Sequence, residues 1–416
     1  MLNTPFSPWP SFTKEEANTV ANVVLSNKVN YWTGTECREF EKEFALWSES
    51  KYAIALANGT VALDLALKGL DIGPGDEVIV TPRTFIASIS CVISAGATPI
   101  FADVDPESGN ISPAGIAAAI TPKTKAVICV HLAGWPCDMD AIMALSSQYR
   151  FKVIEDCAQA HGARYKGRSV GSIGHVGAWS FCQDKIMTTC GEGGMVTTND
   201  EYLWRSMWAY KDHGKSYEAV YERQHPPGYR WLHDSFGTNW RMLEVQAAIG
   251  RIQLHRMSEW TAKRLENASR LNEALLEFTG GNGIVRLPQY QCVSCDNPVC
   301  KVSNGCNGDT PNACTHARYK FYFYLQPHNL AVGWDREKII NAINYAGVPC
   351  YGGTCSEVYL ESAFEGSTLR PAERLPVAKA LGETSVMLLI HPTLTGDEIS
   401  KTQKIIKEVL HLAQKS

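Results

Sequence analysis

Nowhere among the 416 residues is there an apolar run of the ~18 residues a membrane-spanning helix requires, so no helical crossing of a bilayer is expected. Nor is there a surplus of basic charge. Lys and Arg total 39 against 43 Asp and Glu, which leaves no electrostatic footprint for nucleic acid or an anionic membrane. The start, Met1-Leu2-Asn3-Thr4-Pro5, lacks the basic and apolar regions of a signal peptide, and a cytoplasmic location is the expectation. Also missing is the paired Cys-x-x-Cys…Cys-x-x-Cys spacing of a zinc ribbon, although cysteine itself is plentiful at 14. Nine cysteines, among them Cys91, Cys129, Cys157 and Cys182, are scattered through strands and motifs, where a thiol is a small core residue and stays reduced in the cytosol. The other five, Cys292, Cys295, Cys300, Cys306 and Cys314, crowd with His316 into a stretch rich in Asn, Gly and Asp, at about 291–316. Two readings fit them: a structural zinc or iron–sulfur site, or a polar insertion loop.

What is present is an alternation of strands and helices. Short apolar runs at 52–56, 77–80, 99–102 and 126–130 are each followed by a helical stretch, which predicts an α/β fold with a largely parallel, doubly wound sheet. Helices over 12–26 and 36–48 precede it, with a polar-aromatic loop, Asn30 to Thr35, between them. A long helical periodicity over 241–278 ends at Gly280-Gly281-Asn282-Gly283. That break divides the chain into a large domain, 1–280, and a smaller one, 281–416, in which Tyr319 to Tyr324 alternates as a strand and 335–346 reads as a helix.

The stretch over 151–194 carries the chemistry. Phe151-Lys152-Val153-Ile154 reads as a buried strand ending on Glu155-Asp156. In open α/β sheets ligands lie outside the carboxyl ends of the strands, which puts Asp156 at that edge. A second strand, Ala178-Trp179-Ser180-Phe181, leads to Lys185 and to Cys190-Gly191-Glu192-Gly193-Gly194. Pyridoxal 5'-phosphate requires a lysine amine to hold its aldehyde and a carboxylate to keep its ring nitrogen protonated. Asp156 and Lys185 suit those parts, while a helix-capping Asp and a solvated Lys fit the same pair. Asn58-Gly59-Thr60 precedes a helix from Val61, so its backbone amides form either a phosphate site or an ordinary turn.

The ordered series Glu155-Asp156-Cys157-Ala158-Gln159-Ala160-His161-Gly162-Ala163, Gly171-Ser172-Ile173-Gly174, Ser180-Phe181-x-x-x-Lys185 and Gly191-Glu192-Gly193-Gly194 resembles the DegT/DnrJ/EryC1/StrS family of sugar aminotransferases. The likeness is strong from about residue 30 to residue 255. It implies the fold type I architecture: a mostly parallel seven-stranded sheet in the large domain and an α+β small domain. It also implies pyridoxal phosphate as cofactor, Lys185 and Asp156 as catalytic residues, and Gly59, Thr60 and Ser180 at the cofactor phosphate. Phe85 is then the residue stacked on the cofactor ring, and Gln159 the contact of its hydroxyl. Gly237-Thr238-Asn239-Trp240-Arg241-Met242 resembles a family signature, with Trp in place of Tyr, in which the Asn reaches the neighbouring subunit's phosphate. An isologous homodimer with shared sites is therefore expected. The iron–sulfur dehydrases of the same superfamily replace the lysine by histidine, so Lys185 argues against that branch.

For the substrate, Asn30 to Glu36, His131 to Trp135 and Ser180 to Thr189 resemble the branch that aminates C8 of 3-deoxy-octulosonate. With L-glutamate as donor, that branch forms 8-amino-3,8-dideoxy-manno-octulosonate for lipopolysaccharide and returns 2-oxoglutarate. Arg83, Arg230 or Lys320 would meet a substrate carboxylate, and Tyr351 is a further residue within reach of the substrate. The alternatives are a nucleotide-linked keto-hexose as acceptor and, from another class, a metal-organised scaffold without catalysis.

Overall fold

The computed structural model of the protein describes residues 6–290 and 313–415. Cys292, Cys295, Cys300 and Cys306 lie outside these residues. The chain begins with helices α1 (Lys14–Leu25) and α2 (Glu36–Trp47). Thr13 and Glu16 close a reciprocal capping box at the start of α1, so two of the amide groups orphaned at a helix start are satisfied.

Strands β1 (Tyr52–Leu56), β2 (Glu77–Val80), β3 (Thr98–Phe101), β4 (Thr124–Val130) and β5 (Lys152–Asp156) alternate with helices α3 (Gly59–Gly69), α4 (Ala87–Ser94), α5 (Pro113–Ala119) and α6 (Met139–Tyr149). A small hairpin, β6 (Arg164–Tyr165) and β7 (Arg168–Ser169), precedes β8 (Val176–Ser180) and β9 (Gly194–Thr198). The seven longer strands form one sheet in the order β1-β9-β8-β5-β4-β2-β3. β3, β2, β4, β5 and β8 are parallel, and β9 runs antiparallel between β8 and β1. This one reversal has a geometric consequence. β1 points the same way as β8, so the carboxyl ends of β1, β2, β5 and β8 all open on one edge of the sheet.

Helix α7 (Glu201–Tyr210) leads to the 32-residue α8 (Glu244–Leu275). Beyond it a second, antiparallel sheet follows the order β10-β11-β13-β12, from Val285–Arg286, Phe321–Leu325, Ser385–Leu388 and Cys350–Tyr351. Helices α9 (Arg336–Tyr345), α10 (Pro376–Thr384) and α11 (Gly396–Ala413) complete this part of the chain. Alternation along β11 gives it two kinds of neighbour. Phe321, Phe323 and Leu325 join the core shared with Leu271, Leu275 and Phe278, whereas Tyr322 packs with Leu132 and Ala133, and Tyr324 with Val104, all from the large sheet's side.

The sequence reading differs from the structure most usefully at α3. The helix starts at Gly59 rather than Val61, because the Asn58 side chain accepts the Val61 N–H at 3.0 Å and caps a turn earlier. That shift places Gly59 and Thr60 inside the first turn. The aromatic loop before α2 also takes a definite role. Tyr31 is buried and donates to Glu41 at 3.0 Å, and Trp32 donates to Asp212 at 2.7 Å, so both rings pack α2 and α7 together.

Candidate active site

The common edge of β1, β2, β5 and β8 borders a cleft of about 780 Å³. From the turn after β1 come Asn58, Gly59 and Thr60, and from the segment after β2 come Thr84, Phe85 and Ser88. β5 supplies Asp156 and Gln159, and β8 supplies Ser180, Asp184 and Lys185. The second sheet closes the far wall with Tyr319, Lys320 and Met387.

At the β1 corner, Asn58 claims the Val61 N–H and its carbonyl accepts Ala62. The Gly59 and Thr60 N–H groups have no partner among the described residues and stand at the positive end of α3, a ready anion cradle. The space there is shaped by absent side chains. A Cβ on Gly59 would lie 2.5 Å from the Ser180 Cβ and 2.9 Å from its Oγ, and a Cβ on Gly194 would lie 2.3 Å from the Asn58 carbonyl oxygen. Ser180 Oγ, which accepts the Cys182 N–H at 3.3 Å, therefore faces the same small volume as the free amides.

Asp156 is held from both sides. One carboxylate oxygen accepts from Ser88 Oγ at 2.8 Å and the other from the Ala158 N–H at 3.1 Å, while Thr84 and Ser88 share a hydrogen bond of 2.9 Å. With 6 % of its surface exposed, the carboxylate has no basic neighbour in an ion pair among the described residues and looks into the cleft. Behind it Glu155 is fully buried. Burial pushes its carboxyl up, but the His131 imidazole at 3.0 Å and the Gly171, Ile173 and Gly174 N–H groups hold it below the usual value. Gln159 accepts the Ala133 N–H at 2.8 Å, which leaves its amide nitrogen as a donor.

Lys185 reaches the cleft from the loop after β8, its ammonium 3.8 Å from Asp184 and 5.3 Å from the centre of the Tyr319 ring. The Tyr319 hydroxyl donates to Asp184. Burial pushes the Asp184 carboxyl up, but Lys185, Tyr319 and Lys320 outweigh it and keep the group below its ordinary value. Phe85, with 67 % of its surface exposed, overhangs the opening.

Seven of the eight residues expected at the site, Gly59, Thr60, Phe85, Asp156, Gln159, Ser180 and Lys185, thus line a single cleft. Asn239 does not. It is exposed on a bridge to Asp212 and absent from the cleft lining. Of the anion contacts considered, Lys320 lines the cleft, whereas Arg83 and Tyr351 do not. Arg83 is fully buried, its guanidinium set against the Tyr322 and Tyr324 rings, and Arg230 is exposed and donates to the Val220 carbonyl. Sequence reasoning missed Ser88, Asp184 and Tyr319. The first had a faint signal, a hydroxyl four residues after Thr84, just before and within the start of α4.

Of the cysteine-rich stretch, Cys314 and His316 are among the described residues. Cys314 is buried and accepts the Lys166 N–H, and the His316 ring packs against Trp135 and Tyr290. The grouping with metal-ligand chemistry lies elsewhere, at His131, Glu155 and Cys157. There both imidazole nitrogens are already engaged, one with Glu155 and the other accepting the Cys137 N–H at 3.0 Å. This grouping buttresses the end of β5.

Residues 10–409 match the DegT/DnrJ/EryC1/StrS aminotransferase family. The chain is 35 % identical to UDP-N-acetyl-3-dehydro-alpha-D-glucosamine 3-aminotransferase of Acidithiobacillus ferrooxidans over 93 % of its own length and 92 % of the relative's. It is 34 % identical to GDP-perosamine synthase of Caulobacter vibrioides, over 89 % of each. Among solved structures, an aminotransferase from Psychrobacter cryohalolentis is 63 % identical and superposes with a TM-score of 0.92, over 98 % of this chain and 99 % of that one. The chain belongs to the DegT/DnrJ/EryC1/StrS aminotransferase family and has its fold type I architecture.

Proposed function

We propose that this aminotransferase uses pyridoxal phosphate to move an amino group from L-glutamate to the carbonyl of a nucleotide-linked keto-sugar. One observation carries the reading: a lysine amine, a buried carboxylate and an unclaimed helix N-terminus line the same cleft. When bound, pyridoxal phosphate supplies an electron sink for the carbon that bears the amino group. Gly59 and Thr60 N–H and the Ser180 hydroxyl are the groups that would bind its phosphate, and Gln159 would donate to its ring hydroxyl. Asp156, oriented by Ser88, would keep the ring nitrogen protonated, and Phe85 would cover the ring face. Lys185 Nζ would hold the cofactor at rest, then take the proton from the reacting carbon of the donor and return one to the acceptor.

The named relatives favour a nucleotide-linked acceptor over octulosonate, since the sugars in their names are UDP- and GDP-linked. Asn239, exposed and outside its own chain's cleft, suits a contact across a two-fold axis, and we assign the active form as a homodimer. The large and small domains are divided near residue 280.

Purified protein supplied with pyridoxal phosphate should be yellow, and the colour should fade with L-glutamate; a Lys185→Ala variant should show neither change. Recovery of the colour should then follow addition of UDP-, GDP- or dTDP-linked keto-hexoses. Recovery only with the C8 aldehyde of 3-deoxy-octulosonate would move the substrate to that sugar, and a colourless wild type would sink the cofactor reading.

A further inference from the structure

Lys320 stands at the entrance to β11, on the same side as Tyr322 and Tyr324, and its side chain ends in the cleft. It is 9 % exposed. Among the described residues no hydrogen bond or ion pair engages its ammonium, which lies 4.7 Å from the centre of the Tyr319 ring. The nearby carboxylate, Asp184, is already shared by the Tyr319 hydroxyl and Lys185. Within the cleft lining described here, Lys185 and Lys320 are the two cations. An ammonium this little exposed, with Asp184 already shared by other groups, has bonding capacity left for an anion that enters the cleft.

We propose that Lys320 binds the α-carboxylate of the amino donor. The assignment rests on the aminotransferase reading, and distance selects among anions. Lys185 Nζ and Lys320 Nζ lie 5.3 Å and 4.7 Å from the centre of one ring, so the amines are within about 10 Å of each other. Only one bond separates an α-carboxylate from the carbon that must meet Lys185, whereas the diphosphate of a nucleotide sugar is held away by the sugar ring. Donor and acceptor then share the reacting point but not the anion contact. Lys320 positions the donor.

The charged and titratable groups around Lys320 are Asp184 and Lys185 from the β8 loop, Tyr319 beside it, Arg264 from α8 and His391 beyond β13. Burial first, then Arg264 and Lys185, bring its ammonium down to about 8 against the pull of Asp184. Donor binding should therefore weaken as pH rises through about 8.

The test is a titration of L-glutamate into the pyridoxal-phosphate enzyme, followed by the cofactor's absorption, for wild type, Lys320→Met and Lys320→Arg. Lys320→Met should keep the wild-type colour and melt no lower than wild type, yet bind L-glutamate about 30- to 100-fold more weakly, the loss expected for a charged hydrogen bond. Its weakening above pH 8 should vanish, while KM for the sugar acceptor stays within about threefold. Lys320→Arg should recover most of the donor affinity. A Lys320→Met variant that keeps donor affinity within about twofold, or that loses acceptor binding instead, would overturn the assignment. A wild type that takes up pyridoxal phosphate without responding to any amino donor would overturn the underlying aminotransferase reading, whatever the variants do.

Discussion

Gly59 shows how much of this site depends on atoms that are not there. A methyl group at that position would overlap Ser180, the β8 residue that faces the same cradle. Gly59→Ala should therefore lower pyridoxal phosphate affinity by about 100-fold in a fluorescence titration, through displaced charge-assisted hydrogen bonds. Affinity for pyridoxal, which has no phosphate, should be nearly unchanged; equal losses for both would mean that the whole cleft had shifted. At this scale the reactive groups were legible. Lys185 and Asp156 declare themselves by residue type and by position after strands. Ser88 and the isolation of Lys320 did not, because a serine in a helix and a lysine beside tyrosines have common roles that need no cleft. What distinguishes them is what lies opposite, and that is set by segments far away in the chain.

Among elements, the joint between α2, β1 and α7 is held by charge inside the core. Lys211 is fully buried with its ammonium 2.9 Å from Glu41 and 3.9 Å from the centre of the Tyr31 ring, and Glu41 also accepts from the Ala55 N–H at 2.8 Å. Glu41→Ala strands that ammonium and the strand amide, and should cost about 3–5 kcal/mol in a urea denaturation. The double change Glu41→Leu with Lys211→Met should recover most of that loss, since a buried ion pair replaced by apolar packing is often close to neutral. A single variant as stable as wild type would show that water already reaches the pair. The periodicities predicted most of the elements, with ends displaced by a few residues where caps decide them, as Asn58 does for α3. The role of Tyr31 and Trp32 is not legible from periodicity. An aromatic loop serves packing or recognition equally well until the polar atoms that meet its rings, here Glu41 and Asp212, are known.

For the molecule as a whole, buried histidines make stability depend on pH: burial pushes His161, His316 and His391 down, while, against burial, Cys137, Cys157 and Glu155 hold His131 well above its usual value. His161 packs against Trp179 and Phe181 with neither ring nitrogen hydrogen-bonded, and burial, then Lys185 and Arg264, bring its pKa down to about 3. Burial, then Arg264 and Lys320, bring His391 to about 3 as well. Both are neutral when folded, while the unfolded chain binds their protons below about 6.5. Stability is therefore fully present above that value and is lost as pH falls toward 3. At pH 5 each of these two histidines should contribute about 2 kcal/mol less than at neutral pH, so acidification from pH 7.5 to pH 5 should cost wild type more melting temperature than a His161→Phe variant. An equal change in wild type and variant would mean that the His161 ring is hydrated.

By itself the sequence determined the α/β class and the family and offered Lys185 and Asp156 as the candidate pair, because strand periodicity is local and because a lysine and a carboxylate after two strands carry their chemistry wherever they fold. The tertiary structure decided what those residues face. Reversal of β9 brings the β1 turn to the edge where β5 and β8 end, and pairing in the second sheet presents Lys320 to the same cleft. Neither is written in local sequence, since both arise from contacts between segments distant in the chain, where register and direction follow from the burial of whole faces.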